Sequence, residues 1–204
     1  MKRIVYFLLL VLFVLQACSP TPATESATSN TEQELVPPLV IKEPSNSSLP
    51  GAAGAANSNT SLLTLCSGAA DTNAAAFEEE VIRLVNVERA KEGLDPVVSQ
   101  SQLTQAAQNH AIDLACYGAV GHTSSDGSTL IDRLDLVGYM WLNAGENMAV
   151  SYATPAAVVT AWMNSSGHRA NILDPEFTQM GIGYVYNPAG TYKHYWVMDL
   201  GSEL

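Results

Sequence analysis

The feature that most constrains the fold of this chain is a change of hydrophobic pattern, from helical spacing to strand alternation. Phe77, Val81 and Leu84 recur at helical spacing near the start of the apolar part. Residues 180–186 and 192–200 alternate apolar and polar side chains around a turn, as a β-hairpin does. Helices that come first and strands that come last predict an α+β fold, with helices packed on an antiparallel sheet.

Turn and capping residues divide this region into elements. Glycines predict the ends of the first two helices, at Gly93 and Gly118. Ser99 and Gln102 match a Ser-x-x-Gln capping box at the start of the second helix. Residues 144–150 are predicted to form a strand ahead of the final hairpin.

The N-terminus has the pattern of an export signal. Lys2 and Arg3 precede an apolar run over residues 4–15, which is shorter than the roughly 20 residues of a membrane-spanning helix. The sequence LQAC that follows resembles a bacterial lipobox, which predicts a lipoprotein signal peptide over residues 1–17 and a lipid on Cys18. The alternative is an ordinary secretory signal with an incidental cysteine. Either interpretation places the rest of the chain outside the cytoplasm.

Residues 18–73 are predicted to be a disordered tether, because they are rich in Ser, Thr, Pro and Asn and poor in aromatic side chains. The globular domain is then predicted to cover residues 74–204. Cys66 and Cys116 are expected to form a disulfide, because export leads to an oxidising compartment. The alternative is two free thiols.

The charge of the chain restricts its partners. The formal net charge is −11, and without Lys2 and Arg3 the exported part has 7 basic and 20 acidic residues, a net of −13. A body this acidic repels phosphate backbones, so we expect no nucleic-acid partner. We expect a monomer whose contact with the membrane is the lipidated Cys18.

Three polar clusters lie at predicted element boundaries, where side chains from different segments converge. They are GHTSSDG at residues 121–127, GEN at residues 145–147 and SSGHR at residues 165–169. Each cluster offers a side chain that coordinates metals or transfers protons.

These clusters and their flanking sequences resemble the CAP superfamily (cysteine-rich secretory proteins, antigen 5 and pathogenesis-related proteins) in its compact bacterial form. The matching stretches are NVERAKEGLDP, HTSSDGSTLIDR, AGENMA, WMNSSGHRANIL and MGIGYVY, in the order of the family. The resemblance implies a three-layer α-β-α sandwich with a surface cleft lined by two histidines and two glutamates. His122, Glu146 and His168 match three of these positions, and Ser165 stands at the position of the second glutamate.

The residue types in this cleft are compatible with more than one role. His122, His168 and Glu146 form a His₂Glu set of the kind that holds Zn²⁺ at about 2.0–2.2 Å. Alternatively, Glu146 accepts hydrogen bonds from both histidines in a structural network. Ser165 or Ser166 with a histidine and Glu146 has the types of a catalytic triad, but the sequence has no Gly-x-Ser-x-Gly elbow. His110, on an apolar helix face, is predicted to be a satisfied core residue.

The resulting hypothesis is a lipid-anchored, extracytoplasmic CAP-domain protein that binds a lipid or peptide ligand in this cleft, with a divalent metal such as zinc as a candidate cofactor. The alternatives are a metal-dependent hydrolase acting on cell-envelope material and a non-catalytic adhesion or scaffold protein. The sequence leaves open whether the protein is an enzyme.

Overall fold

A computed structural model describes residues 33–42, 73–118 and 120–204. They contain five strands and five helices. The strands are β1 (Glu34–Lys42), β2 (Val98–Ser99), β3 (Trp141–Val150), β4 (Gln179–Tyr186) and β5 (His194–Glu203). The helices are α1 (Ala74–Lys91), α2 (Ser101–Tyr117), α3 (Leu130–Leu136), α4 (Pro155–Asn164) and α5 (Ser166–Ile172).

The strands form a single sheet in the order β1-β3-β5-β4-β2. All neighbours are antiparallel except the two-residue edge strand β2, which runs parallel to β4. One face of the sheet packs against α1, α4 and α5, and the other packs against α2 and α3. The prediction of an α+β, three-layer α-β-α sandwich is therefore confirmed.

Glycines allow α2 to lie directly on the sheet. A Cβ atom on Gly181 would overlap the backbone of Leu103 and Thr104, and one on Gly183 would overlap the backbone of Ala107. The MGIGYVY stretch therefore has glycines where the helix backbone touches β4.

Most element boundaries follow the local signals, with two differences. Gly118 ends α2 in the left-handed conformation, with φ of +70°. The predicted Ser99–Gln102 capping box is wrong, since Gln100 is the N-cap of α2 and its side chain accepts from the Gln102 backbone N–H. Strand β3 begins at Trp141, earlier than the predicted start at Ala144, because its ladder with β5 extends to Glu203.

Strand β1 lies inside the segment predicted to be a disordered tether, so that prediction is wrong for residues 34–42. The sequence ELVPPLVIK pairs antiparallel with β3, from Glu34 opposite Val150 to Lys42 opposite Asn143. Val36 is buried in the core beside α2, and the backbone groups that β3 offers at the sheet edge are paired.

The other N-terminal predictions lie outside the described residues. They concern the signal peptide over residues 1–17, the lipid on Cys18 and the remainder of the tether. Cys116 lies half-buried in α2 beside the second core cluster, but Cys66 lies outside the described residues, so the disulfide stays a prediction. Within residues 33–42, 73–118 and 120–204, no helix is long and apolar enough to cross a membrane.

Candidate functional site

The four predicted cleft residues lie at the edge of the sheet where β1 meets β3. His122 precedes α3, Glu146 belongs to β3, and Ser165 and His168 lie at the start of α5. The structure forms two pairs from these residues. His122 Nδ1 lies 2.5 Å from Glu146 Oε1, and His168 Nδ1 lies 2.8 Å from Ser165 Oγ.

Glu146 is the buried anion of the site. Its side chain is fully buried, and its second oxygen accepts from Arg133 Nη2 at 2.6 Å. Burial opposes its ionisation, but the hydrogen bond from His122 and the charge of Arg133 outweigh burial, so the pKa of Glu146 falls below its ordinary value. The carboxylate is therefore ionised at neutral pH.

His122 is held as an imidazolium. Its Nδ1 faces the Glu146 carboxylate and its Nε2 faces the Pro37 carbonyl, and both of these groups are acceptors. A neutral imidazole has one N–H, so both hydrogen bonds require both ring nitrogens to be protonated. Burial disfavours the charge, but the hydrogen bonds to Glu146 and Pro37 raise the pKa of His122 overall.

His168 is held as a neutral imidazole. Its Nε2–H donates to the Val36 carbonyl, and its Nδ1 accepts from the Ser165 hydroxyl. These two contacts need one ring proton. Burial lowers the pKa of His168 and outweighs the opposing effect of the Val36 carbonyl. The two histidines of the site therefore differ in charge.

The two imidazoles converge on successive carbonyls of β1, those of Val36 and Pro37. Asn171 Nδ2 adds a third donor to the same strand, 3.2 Å from the Leu39 carbonyl. His122 approaches from the layer of α3, and His168 and Asn171 approach from the layer of α5. The cleft thus clamps the backbone of an extended segment from both sides of the sheet edge.

Several residues of the site were not singled out from the sequence. Arg133 donates to Glu146, to the His122 carbonyl at 3.1 Å and to Ser124 Oγ at 3.2 Å. Arg133 is the last residue of the HTSSDGSTLIDR motif, but the sequence does not show that its partner is Glu146. Asn147 of the GEN motif accepts from Asn171 at 2.9 Å and donates to the His168 carbonyl at 3.0 Å.

Asp199 is a second buried acid beside Glu146. It lies opposite Glu146 in the β3–β5 register and is fully buried. Burial, together with the neighbouring Glu146 carboxylate, raises the pKa of Asp199 well above its ordinary value, although Arg133 opposes this. The fold therefore favours the protonated form of Asp199. Only the register of two strands far apart in sequence reveals this pair.

His110 is a satisfied core residue, as predicted. It is fully buried, its Nε2–H donates to the Gly121 carbonyl at 2.9 Å, and its Nδ1 lies 3.0 Å from Ser124 Oγ. Burial lowers its pKa. His110 holds Ser124 in the position where that hydroxyl meets Arg133.

The arrangement does not fit a three-ligand zinc site. Both oxygens of Glu146 are bound, one to His122 and one to the Arg133 guanidinium, which repels a cation. Within residues 33–42, 73–118 and 120–204, no group of three or more His, Cys, Asp or Glu side chains is placed to hold a metal ion.

The arrangement also separates the members of the triad considered above. Ser165 Oγ and His168 Nδ1 are hydrogen-bonded at 2.8 Å, as a nucleophile and base would be, but Glu146 orients His122 instead of His168. The hydroxyl of Ser165 bonds to His168 rather than capping α5, although Ser165 is the N-cap residue.

An open groove of about 690 Å³ continues from the cleft along α4. Most of its walls are small or apolar side chains. They include Leu35, Tyr152, Ala156, Ala157, Ala161 and Ser165. Ser165 belongs to both the groove and the cleft, so the two are adjacent.

Comparison with known proteins relates this chain to two proteins of Bacillus subtilis. The chain is 40% identical over 116 residues to the uncharacterized protein YkwD of Bacillus subtilis, which covers 57% of this chain and 45% of YkwD. It is 33% identical over 106 residues to the uncharacterized membrane protein YlbC of the same organism, covering 52% of this chain and 31% of YlbC. The chain thus spans less than half the length of these two relatives.

A solved structure shares the fold. An extracellular protein containing a SCP domain from Bacillus anthracis matches with a TM-score of 0.56 at 27% sequence identity, covering 64% of this chain and 41% of that chain. The profile of the CAP family, described as the cysteine-rich secretory protein family, matches residues 82–200. This match spans α1 to β5 and more than half of the chain, and the chain therefore belongs to the CAP family.

Proposed function

We propose that this is a lipid-anchored, extracytoplasmic binding protein whose His122–Glu146–His168 cleft holds a ligand through acceptor oxygens. The observation that carries the proposal is the convergence of two imidazole Nε2 atoms on neighbouring carbonyls. One imidazole is charged and the other neutral, so the cleft offers donors of two strengths.

Two observations support the location of the protein. The basic, apolar and LQAC segments of residues 1–18 have the pattern of a lipoprotein signal. The Bacillus anthracis protein that shares the fold is described as extracellular, and YlbC is described as a membrane protein.

The hydrogen bonds of Glu146 and His168 favour binding over hydrolysis. Glu146 is fully engaged by Arg133 and His122, so it has no free oxygen to activate a water molecule. His168 pairs with Ser165 but has no carboxylate behind it in the described part of the chain. These contacts argue against the metal-dependent hydrolase, and zinc binding is the measurement that would restore it.

The anchor is tested by expressing the full chain in a bacterium fed radiolabelled palmitate. The wild-type chain should carry label and sediment with membranes, and Cys18→Ala should lose both properties. Cys66→Ala is the matched control and should keep the label. Label that persists in Cys18→Ala would reject the anchor.

The cleft is tested on the exported chain, residues 18–204 with Cys18→Ser, by NMR of its histidine ring signals. Zinc chloride and vesicles of phosphatidylglycerol and phosphatidylcholine are the probes, and the extended peptide described below is the third. Saturable shifts of both His122 and His168, with the His194 signal unchanged, support a ligand cleft. Zinc binding that His122→Ala/His168→Ala abolishes would favour the hydrolase. A cleft that responds to none of the three probes would reject the proposed binding function.

A further inference from the structure

We propose that the edge of β3 beside His122 and His168 is a binding site for an extended polypeptide, and that β1 is the chain's own displaceable occupant of it. The partner is an extended segment of another protein with two successive prolines between aliphatic residues. This inference rests on the proposed cleft function and names its ligand class.

The site recognises backbone rather than side-chain chemistry. Its three donors, on His122, His168 and Asn171, each contact a main-chain carbonyl of β1. On either side of these contacts, β1 pairs with β3 in an antiparallel ladder. An added strand on an open sheet edge is a common mode of peptide recognition, because main-chain hydrogen bonds provide affinity for many sequences.

The prolines of β1 occupy the part of the strand where the ladder is interrupted. The register shifts between Val36 and Leu39, so Pro37 and Pro38 lie in the irregularity. Proline has no N–H, and here no ladder hydrogen bond is lost by its presence. The carbonyls of this stretch turn towards the imidazoles instead. A segment with prolines at these two positions therefore suits the site.

Two glycines make room for such a segment. A Cβ atom on Gly167 would lie 2.6 Å from Pro38 Cγ. One on Gly145 would lie 2.9 Å from Phe177 Cζ in the core and 3.1 Å from the Leu39 carbonyl oxygen. Both glycines belong to motifs of the site, SSGHR and GEN. Each leaves space for main-chain or proline atoms of an incoming strand.

The occupant β1 is less firmly held than the central strands. Val36 is its one buried residue, whereas every residue of β3 from 144 to 150 is buried. Residues 43–73 separate β1 from α1, so β1 can leave the edge while the rest of the chain stays connected. Because β1 belongs to the same chain, it competes at an effective concentration of ~mM, and a peptide from another protein binds weakly until β1 is displaced.

The test compares two substitutions in β1 of the exported chain. Val36→Asp places a charge in the core contact and should release β1, whereas Val40→Asp lies on the same strand at a position 42% exposed and should leave it bound. The probe is a fluorescent peptide, ELVPPLVIK. We expect it to bind Val36→Asp at least about tenfold more tightly than the wild type or Val40→Asp, because the intramolecular competitor is lost.

Two further variants define the site. Adding His122→Ala/His168→Ala to Val36→Asp should abolish peptide binding. A peptide with alanine in place of both prolines should bind more weakly to Val36→Asp. Equal binding of the two peptides would reject the role of proline.

Hydrogen exchange of the wild type gives an independent measurement if Val36→Asp fails to fold. The amides of Leu39 and Ile41 should exchange faster than those of β5, by local release of β1. Exchange of these amides only through global unfolding would overturn the inference, as would a folded Val36→Asp that ignores the peptide. If zinc or vesicles shift the imidazole signals and the peptide does not, the cleft function survives and this inference fails.

Discussion

Two buried arginines, Arg89 and Arg133, serve two different regions of this molecule. They are 2% and 4% exposed, respectively. Arg89 donates to main-chain carbonyls of Asp95, Ile172, Asp174 and Phe177, at 2.9 to 3.1 Å. Arg133 instead meets the fully buried carboxylate of Glu146.

The Arg89 cluster is closed, because all its acceptors are backbone atoms of connected elements. It ties the C-terminus of α1 to the end of α5 and to the residues before β4. The Arg133 cluster is open at one side, because His122, which bonds to Glu146 through Nδ1, directs its Nε2 atom to the Pro37 carbonyl of β1. A buried arginine bound to carbonyls holds a fold together, whereas one bound to an acid–histidine pair sets the charge of a binding site.

The largest expected effect comes from Glu146→Gln. It leaves the Arg133 guanidinium buried without its anion, which costs about 3–5 kcal/mol of unfolding free energy. Thermal denaturation should show a decrease of about 2–4 °C for each kcal/mol in a chain of this size. Peptide binding in the Val36→Asp background should also weaken, since His122 loses the carboxylate that keeps it charged.

Asp199 offers a route that would reduce this effect. If it ionises when Glu146 is neutral, it supplies a replacement anion for Arg133. The variant Glu146→Gln/Asp199→Asn removes that route and should be less stable than Glu146→Gln alone. A Glu146→Gln protein as stable as the wild type in both backgrounds would contradict the assigned ion pair.

The second-largest effect on stability is expected for Arg89→Met, which perturbs the other buried arginine. Arg89→Met leaves buried carbonyls, including those of Ile172 and Phe177, without a donor and should cost about 2–4 kcal/mol. Urea unfolding measures this loss. Below the unfolding transition, the affinity of the Val36→Asp background for the ELVPPLVIK peptide should not change. A weakened affinity would show that the Arg89 cluster also shapes the binding site.

The smallest effect at neutral pH is expected for Asp199→Asn. A raised pKa means that the stabilising contribution of Asp199 is complete below its unfolded pKa of about 3.9 and is lost as pH rises through the folded pKa. Asparagine does not titrate. The difference in melting temperature, Asp199→Asn minus wild type, should therefore increase as pH rises. The titration of His122 is common to both proteins and largely cancels in this difference.

The control for this series is Glu79→Gln, on an exposed position of α1. Its melting temperature should run parallel to that of the wild type across the same pH range. Parallel curves for Asp199→Asn as well would mean that Asp199 is not held protonated by Glu146 and the surrounding core.

Local sequence was sufficient for most helices and for the final hairpin, because their signals lie within each element. Helical spacing around Val81, the glycine at Gly118 and the alternation after Met180 each depend on neighbouring residues. The family motifs also identified His122, Glu146 and His168 before their contacts were known. What those motifs left open was which side chain pairs with which.

The pairing was decided by contacts between residues distant in sequence. Glu146 meets Asp199 through strand register and Arg133 through the packing of α3 on the sheet. Strand β1 was hidden because two prolines interrupt its pattern and the surrounding residues are polar, so composition predicted a tether. Its partner β3 lies far along the chain, at Trp141–Val150. Only the folded sheet brings the edge of β3 and the two imidazoles next to β1. Periodicity reports how a segment packs locally, whereas the identity of its partner depends on the tertiary structure.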